Sequence, residues 1–180
     1  GLVVIVSRMA CDDLAAMLAA TPGADVTFTL GENHLFFDAG PRRLAARRTV
    51  GEYPKWERIV PKANAQHADA PISGLVAAIR RAAFSAPAGI RCVRLVLGPG
   101  LSVSAQSAEI GASDEVVDDA TYNGPDGLVV ALNYQYLLDY LGAIDGPRVA
   151  IDVKDAETAI LLNPVESDVQ QLGVIMPVRP

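Results

Sequence analysis

The chain has 180 residues, 51% of them hydrophobic and 20% charged, with a formal net charge of −6. It can bury a real core and is long enough for one large or two small domains, while its acidic balance excludes indiscriminate tight phosphate binding, which needs many clustered Lys and Arg. No apolar run reaches the ~20 residues of a membrane span, and the start lacks the order of a secretory signal, so a soluble, cytoplasmic protein without a membrane partner is expected.

The opening run GLVVIVS reads as a strand that ends on Ser7, a residue suited to cap a helix by accepting an orphan amide of its first turn. Cys11, Leu14, Met17 and Leu18 then recur at helical spacing, and TPGAD stops the helix. In DVTFTL the period changes to two, which turns Val26, Phe28 and Leu30 inward, and after a GEN turn HLFFD returns as a strand. The stretch PRRLAARR groups Arg42, Arg43, Arg47 and Arg48, followed by Lys55 and Arg58. It reads as a solvated strand and turn, with a nucleic-acid contact as the alternative.

The same grammar recurs in the middle of the chain. DAPISGLVAAIRRAAF places Ile72, Leu75, Val76 and Ile79 on one helical face, with Asp69 and Pro71 as start signals. RCVRLVL, GPG and LSVSAQ follow as strand, tight turn and strand. The flanks of GPG are strands rather than a helix N-terminus, so a hairpin is expected there and not a phosphate loop. In SDEVVDDA, Asp114, Glu115, Asp118 and Asp119 surround Val116 and Val117. A solvated edge or linking strand fits this alternation, and a cation site or acid pair is the competing reading.

A third unit opens with GLVVALN, nearly repeating the first residues of the chain, and Asn133 stands where Ser7 stood. Tyr134, Leu137, Leu138, Leu141 and Ile144 share one helical face, IDGPR ends the helix, and RVAIDV directs Val149, Ile151 and Val153 inward. A KDAE turn and the strand TAILL complete the unit. Three units of roughly 60 residues identify a repeat protein of the α+β class, built of strand-helix-strand-strand units with antiparallel sheets. Two units are expected to join their sheets edge to edge beneath two helices. Three is an odd number, and the chain starts with Gly1 at the head of a unit, so it is expected to be the C-terminal part of something longer.

Catalytic signatures are absent: there is no G-x-G-x-x-G, no Walker-type loop and no G-x-S-x-G elbow. Cys11 and Cys92 lie far apart, as do His34 and His67, without disulfide or zinc spacing, and both cysteines read as buried filler. No enzyme, no cofactor and no metal are expected.

Two stretches carry a resemblance. EYPKWERIVPK resembles the linker between the second and third domains of the bacterial DNA sliding clamp, the beta subunit of DNA polymerase III, and GVIMPVRP resembles that family's C-terminal ending. LNYQYLLDYLGAI is similar to the family's second helix of the third domain, with closest likeness to actinobacterial members, and the resemblance runs colinearly through the whole chain. It implies the DNA-clamp fold, with residues 1–57 as the incomplete second half of the middle domain and 58–180 as the C-terminal domain. The implied function is a processivity factor, a homodimer ring in the full-length protein, enclosing duplex DNA independently of sequence. The implied partners are the DNA polymerase III alpha subunit, the clamp loader and other proteins carrying a clamp-binding motif. The resemblance assigns a peptide pocket to Pro54, Arg58, Ile59, Asn133, Tyr136, Val174, Met176, Pro177, Val178 and Arg179. It also makes Arg8, Arg80 and Arg81 DNA-facing and Phe84 a dimer-interface residue. The chain departs from the family at Lys55, Trp56, the final Pro180, and Asp12 and Asp13, where relatives often carry basic residues. These departures motivate an alternative, a clamp-like interaction or dimerisation module of another protein such as a DNA-binding regulator.

Overall fold

The computed structural model describes residues 3–87 and 89–179; Gly1 and Leu2 of the opening repeat and the terminal Pro180 lie outside the described residues. The chain forms two compact units, Gly1–Lys55 and Trp56–Pro180.

In the first unit, helix α1 (Arg8–Ala19) starts where the Ser7 hydroxyl accepts from the Ala10 N–H at 3.3 Å. Strands β1 (Val26–Leu30), β2 (His34–Ala39) and β3 (Arg42–Arg47) follow as an antiparallel sheet in that order. Met17, Leu35, Phe37 and Ala39 form the core, and Val4, Val6 and Leu14 pack against it. The inward face of α1 is therefore Ala10, Leu14 and Met17, and the expected face is corrected: Cys11 and Leu18 are exposed, so Cys11 is not core filler. Val26, Phe28 and Leu30 do share a face with their buried partners Ala39, Phe37 and Leu35, yet they remain 46%, 38% and 37% exposed. The reason is that β1 is an edge strand, with cover on one side only. The Arg cluster is a solvated strand, and Arg43 forks onto Asp38 with Nε to Oδ1 at 2.5 Å and Nη2 to Oδ2 at 3.2 Å. Among the described residues the segment before α1, expected as a strand, contributes one isolated antiparallel bridge, Ile5 to Thr49.

The second unit begins with a 3-10 turn (Trp56–Arg58) and continues through β4 (Gln66–Pro71), α2 (Ile72–Ala83), β5 (Cys92–Leu97), β6 (Leu101–Ser107), β7 (Gly111–Val117) and β8 (Thr121–Tyr122). The last repeat supplies β9 (Leu128–Asn133), α3 (Tyr134–Leu141), β10 (Arg148–Val153), β11 (Ile160–Val165) and β12 (Gly173–Ile175). Its sheets run β12-β11-β10-β4-β8 and β7-β6-β5-β9, all neighbours antiparallel. The expected edge-to-edge join is thus corrected. Each repeat lends its first strand to the sheet of the other, β4 to β10 and β9 to β5. The exchange places Val93, Leu95 and Leu97 opposite Leu132, Val130 and Leu128, so that apolar side chains meet on one face beneath the helices.

The exchange follows one register. The residue that caps each helix lies opposite the first residue of the receiving strand: Pro71 opposite Arg148, and Asn133 opposite Cys92. The next amide then crosses over, from Ile72 N–H to Pro147 O and from Tyr134 N–H to Arg91 O, each at 2.9 Å. A second regularity concerns the other edge of the first strand. Two residues before each cap, the chain meets the segment that follows its repeat's last strand: Ile5 with Thr49, Asp69 with Thr121, and Ala131, whose carbonyl accepts from Val178 N–H at 2.8 Å.

The helices show what local signals did. Asn133 Oδ1 accepts from the Gln135 N–H at 2.9 Å, and Leu137, Leu141 and Ile144 are buried beneath α3. Asp69, expected as a helix start signal, instead pairs with the Arg148 guanidinium across β4 and β10, and α2 begins after Pro71 without a side-chain cap. GPG closes the β5–β6 hairpin, and β7 is an edge strand with Val117 buried and Val116 69% exposed. Among the described residues no helix is long and apolar enough to cross a membrane.

Candidate functional site

The final residues owe their position to the repeat geometry. Ile175, Val174 and Gly173 pair with Ile160, Leu161 and Leu162, so β12 ends the larger sheet. The chain then leaves that sheet, and Val178 donates to Ala131 on β9, two residues before the cap of α3. The tail is therefore pinned beside the entry to α3, and its surface carries apolar side chains. Met176 is 63% exposed and Tyr136, in the first turn of α3, is 60% exposed. Val174, Pro177 and Val178 are half-buried and Arg179 is exposed. Ile59 is 68% exposed at the end of the 3-10 turn, and Arg58 makes no ion pair among the described residues. Pro54 is exposed and belongs to the first unit. Asn133 has a structural role as well, because its side-chain oxygen is used in capping.

Tyr140 holds this end of the unit together. Its hydroxyl lies 2.9 Å from Leu162 O on β11 and 3.1 Å from Gln171 O, just before β12. Burial pushes the Tyr140 phenol up to about 12. The folded state thus holds the proton more tightly than an unfolded tyrosine near pH ~10, and the stability this supports is present below pH ~10 and lost as pH rises towards ~12. Tyr140→Phe is expected to reduce that alkaline loss by at most about 2–3 kcal/mol, measured by urea unfolding at pH 9 and pH 12.

Sequence reasoning passed over a cavity of about 450 Å³ between Trp56 and the loop that joins β11 to β12, lined by Trp56, Asn163, Pro164, Ser167, Val169, Gln170, Gln171 and Leu172. Trp56 had stood out only as a departure in the linker. Its 49% exposure against a Gln-rich loop could not be read from local periodicity, because the loop meets it only in the folded unit.

The basic candidates differ among themselves. Arg80 is exposed on α2 and joins no ion pair among the described residues, whereas the Arg81 Nε lies 2.5 Å from Glu115 Oε2 on β7. The partner of Arg81 comes from the acidic run, so one of its carboxylates neutralises a guanidinium. No group of three or more His, Cys, Asp or Glu could hold a metal ion among the described residues. Arg8 is exposed, with its Nε 3.8 Å from Asp12. Phe84 is 80% exposed at the end of α2, and Ile90 and Ile110, which the sequence reading did not single out, are 51% and 64% exposed.

Comparison with known proteins adds to this geometry. Residues 57–179 match the family described as DNA polymerase III beta subunit, C-terminal domain. The beta sliding clamp of Pseudomonas aeruginosa is 29% identical over 177 residues, covering 98% of this chain and 47% of the relative. The beta sliding clamp of Caulobacter vibrioides is 28% identical over 167 residues, covering 92% and 44%. A crystal structure of the DNA polymerase III subunit beta from Pseudomonas aeruginosa superposes with a TM-score of 0.87 at 29% identity, covering 98% of this chain and 48% of that one. Another, of the clamp from the same organism bound to griselimycin, gives a TM-score of 0.86 at 28% identity, covering 98% and 47%. The chain spans about half the length of the curated relatives it matches.

Proposed function

Because the chain belongs to the DNA polymerase III beta subunit family, with residues 57–179 matching its C-terminal domain, we propose that it serves as the C-terminal half of a sliding clamp. In this reading residues 1–57 are the second half of a middle domain and 58–180 the C-terminal domain. The complete protein is a non-enzymatic platform: a homodimeric ring around duplex DNA, contacted through phosphates rather than base edges. Arg80 is the strongest DNA-facing candidate here, since its guanidinium has no carboxylate partner among the described residues, unlike those of Arg8 and Arg81. Phe84 is the candidate for the interface between subunits.

The observation that supports the partner-binding part is the pinned tail: Val178 donates to Ala131, two residues before the cap of α3, while Met176 in the tail and Tyr136 in the first turn of α3 are both exposed. A surface of Met, Tyr, Pro and aliphatic side chains suits a short apolar anchor peptide, and methionine adapts to partners of varied shape. The partners so recruited are the polymerase alpha subunit, the clamp loader and other proteins bearing the motif.

The test is fluorescence anisotropy with a labelled Gln-Leu-x-Leu-Phe pentapeptide. Met176→Ala and Arg58→Ala are each expected to weaken binding about tenfold, equivalent to about 1.4 kcal/mol. Griselimycin, which the Pseudomonas aeruginosa clamp binds, is expected to compete with the peptide. Unchanged affinity in both variants would refute the pocket assignment.

A further inference from the structure

The arginine cluster of the first unit has no part in the proposed ring or peptide surfaces, and the sheet that carries it has two unlike faces. Leu35, Phe37 and Ala39 turn inward to the core, with Leu44 packed against them. The alternate positions of the same strands therefore turn outward: His34, Phe36 and Asp38 on β2, and Arg43, Ala45 and Arg47 on β3. Register sets these in cross-strand pairs, His34 opposite Arg47, Phe36 opposite Ala45 and Asp38 opposite Arg43. Phe36 thus stands in the middle of the outer face, half-buried, and its neighbours on both adjoining strands are small and exposed, Ala45 on β3 and Thr29 on β1. Two planar groups flank its ring. The His34 ring lies 6.1 Å away, centroid to centroid, tilted by 35°, and the Arg43 guanidinium carbon lies 5.9 Å from the Phe36 centroid. Asp38 holds Arg43 there through its two-pronged contact. Charge on this stretch is one-sided: from His34 to Arg48 there are four arginines and one carboxylate, Asp38. Arg43 neutralises that carboxylate, while Arg42, Arg47 and Arg48 join no ion pair among the described residues.

We propose that this outer face binds single-stranded nucleic acid, with an unpaired base on the row formed by His34, Phe36 and Arg43 and the flanking phosphates on the arginines of β3. Arg43 and Arg47 stand about 13 Å apart along the strand, with the pair of Phe36 and Ala45 midway between them, so a polynucleotide running along β3 meets cation, ring and cation in turn. Bases stack on aromatic rings and on guanidinium planes, and the guanidinium fork suits phosphate oxygens. A duplex offers the phosphates but keeps its bases inside its own stack, where the ring cannot reach them. An acidic peptide would engage the arginines and leave Phe36 without a role. The inference rests on this face and not on the clamp reading, and it does not require either edge of the sheet to be free, because a strand added at an edge lies in the plane of the sheet and leaves the face as it is.

The test is fluorescence anisotropy of a labelled oligothymidylate of about 12 nucleotides with the whole chain at about 50 mM salt, where a Kd of about 10–100 μM is expected. Phe36→Ala is expected to weaken binding about tenfold, and Phe36→Tyr, which keeps the ring, is expected to retain it. Because Phe36 is half-buried, Ala45→Glu supplies a variant that leaves the core alone: it sets a carboxylate opposite the ring at an exposed position and is expected to abolish binding with Tm unchanged. Arg47→Gln is expected to weaken binding and to reduce the slope of log K against log salt by about 0.7, as for one phosphate contact fewer on a single strand. Absence of binding up to about 1 mM strand would overturn the proposal, being weaker than ordinary non-specific contact. Affinity that falls with Arg47→Gln but is untouched by Phe36→Ala and shared by a duplex or an oligoglutamate peptide would overturn it in favour of a charge-only surface for an acidic partner. Affinity that falls with Arg80→Ala and not with Arg47→Gln or Ala45→Glu would overturn it by placing the contact on α2, a result that leaves the clamp reading standing.

Discussion

Gly173→Ala is expected to loosen β12 and destabilise the second unit by about 1–3 kcal/mol, the usual cost of forcing an extra carbon into a packed site. A Cβ at this position would stand 2.6 Å from Tyr140 Cε2 and 2.7 Å from Cδ2. The ring is poorly placed to retreat, because its hydroxyl is held near Leu162 O and Gln171 O. Gly173 is also the first residue of β12, so displacement would pass directly into Val174, Ile175 and the tail beyond. Thermal unfolding should show a Tm lower by about 5 °C or more, and affinity for the pentapeptide should fall with it. The double variant Gly173→Ala with Tyr140→Leu should recover part of the loss, since the two side chains compete for one space and their effects cannot be additive. Native-like unfolding of Gly173→Ala would show that the ring moves freely and that the tail does not depend on it.

Leu137→Ala is expected to have a larger effect on stability, about 2–5 kcal/mol, because it removes a fully buried side chain and leaves a cavity that the surrounding strands cannot fill. Leu137 projects from α3 into the core that both sheets share. Urea unfolding should show a lower midpoint with an unchanged slope, the sign of lost stability without a change in the surface exposed. The neighbouring Tyr136→Ala makes the contrast. With Tyr136 60% exposed, its loss should leave stability within about 0.5 kcal/mol and act on peptide binding instead. Equal destabilisation by the two variants would contradict the described orientation of α3.

Much of the fold was legible because its signals are local. Ser7 and Asn133 cap their helices as expected, since an N-cap needs only its own side chain and the next turn. Leu137 and Leu141 face inward because a helix turns its residues at a fixed angle whatever surrounds it. The same reasoning was too coarse for α1. Its apolar residues allowed two neighbouring faces, and packing against Leu35 and Phe37 selected Ala10, Leu14 and Met17 over Cys11 and Leu18. In the candidate site, the motif residues of the tail could be named from their order alone, but the cavity beside Trp56 could not. It exists only where residues far apart in the chain are brought together.

By itself, then, the sequence determined the three helices and most of the strands that follow them, the caps at Ser7 and Asn133, the α+β class and the family resemblance carried by the linker and the tail. Each is a matter of side-chain period, of Gly and Pro placement, or of residue order, all properties of short stretches. Beyond the local hairpins, the tertiary structure alone decided which strand pairs with which between repeats. It placed β4 beside β10 and β9 beside β5, tied Asp69 to Arg148 and Arg81 to Glu115, and fastened Val178 to Ala131. Backbone amides and carbonyls are the same at every residue and any open edge can satisfy them, so a strand's own composition does not choose its neighbour. That choice falls to the arrangement that buries both helices and both inner sheet faces in one core, which only the assembled unit contains.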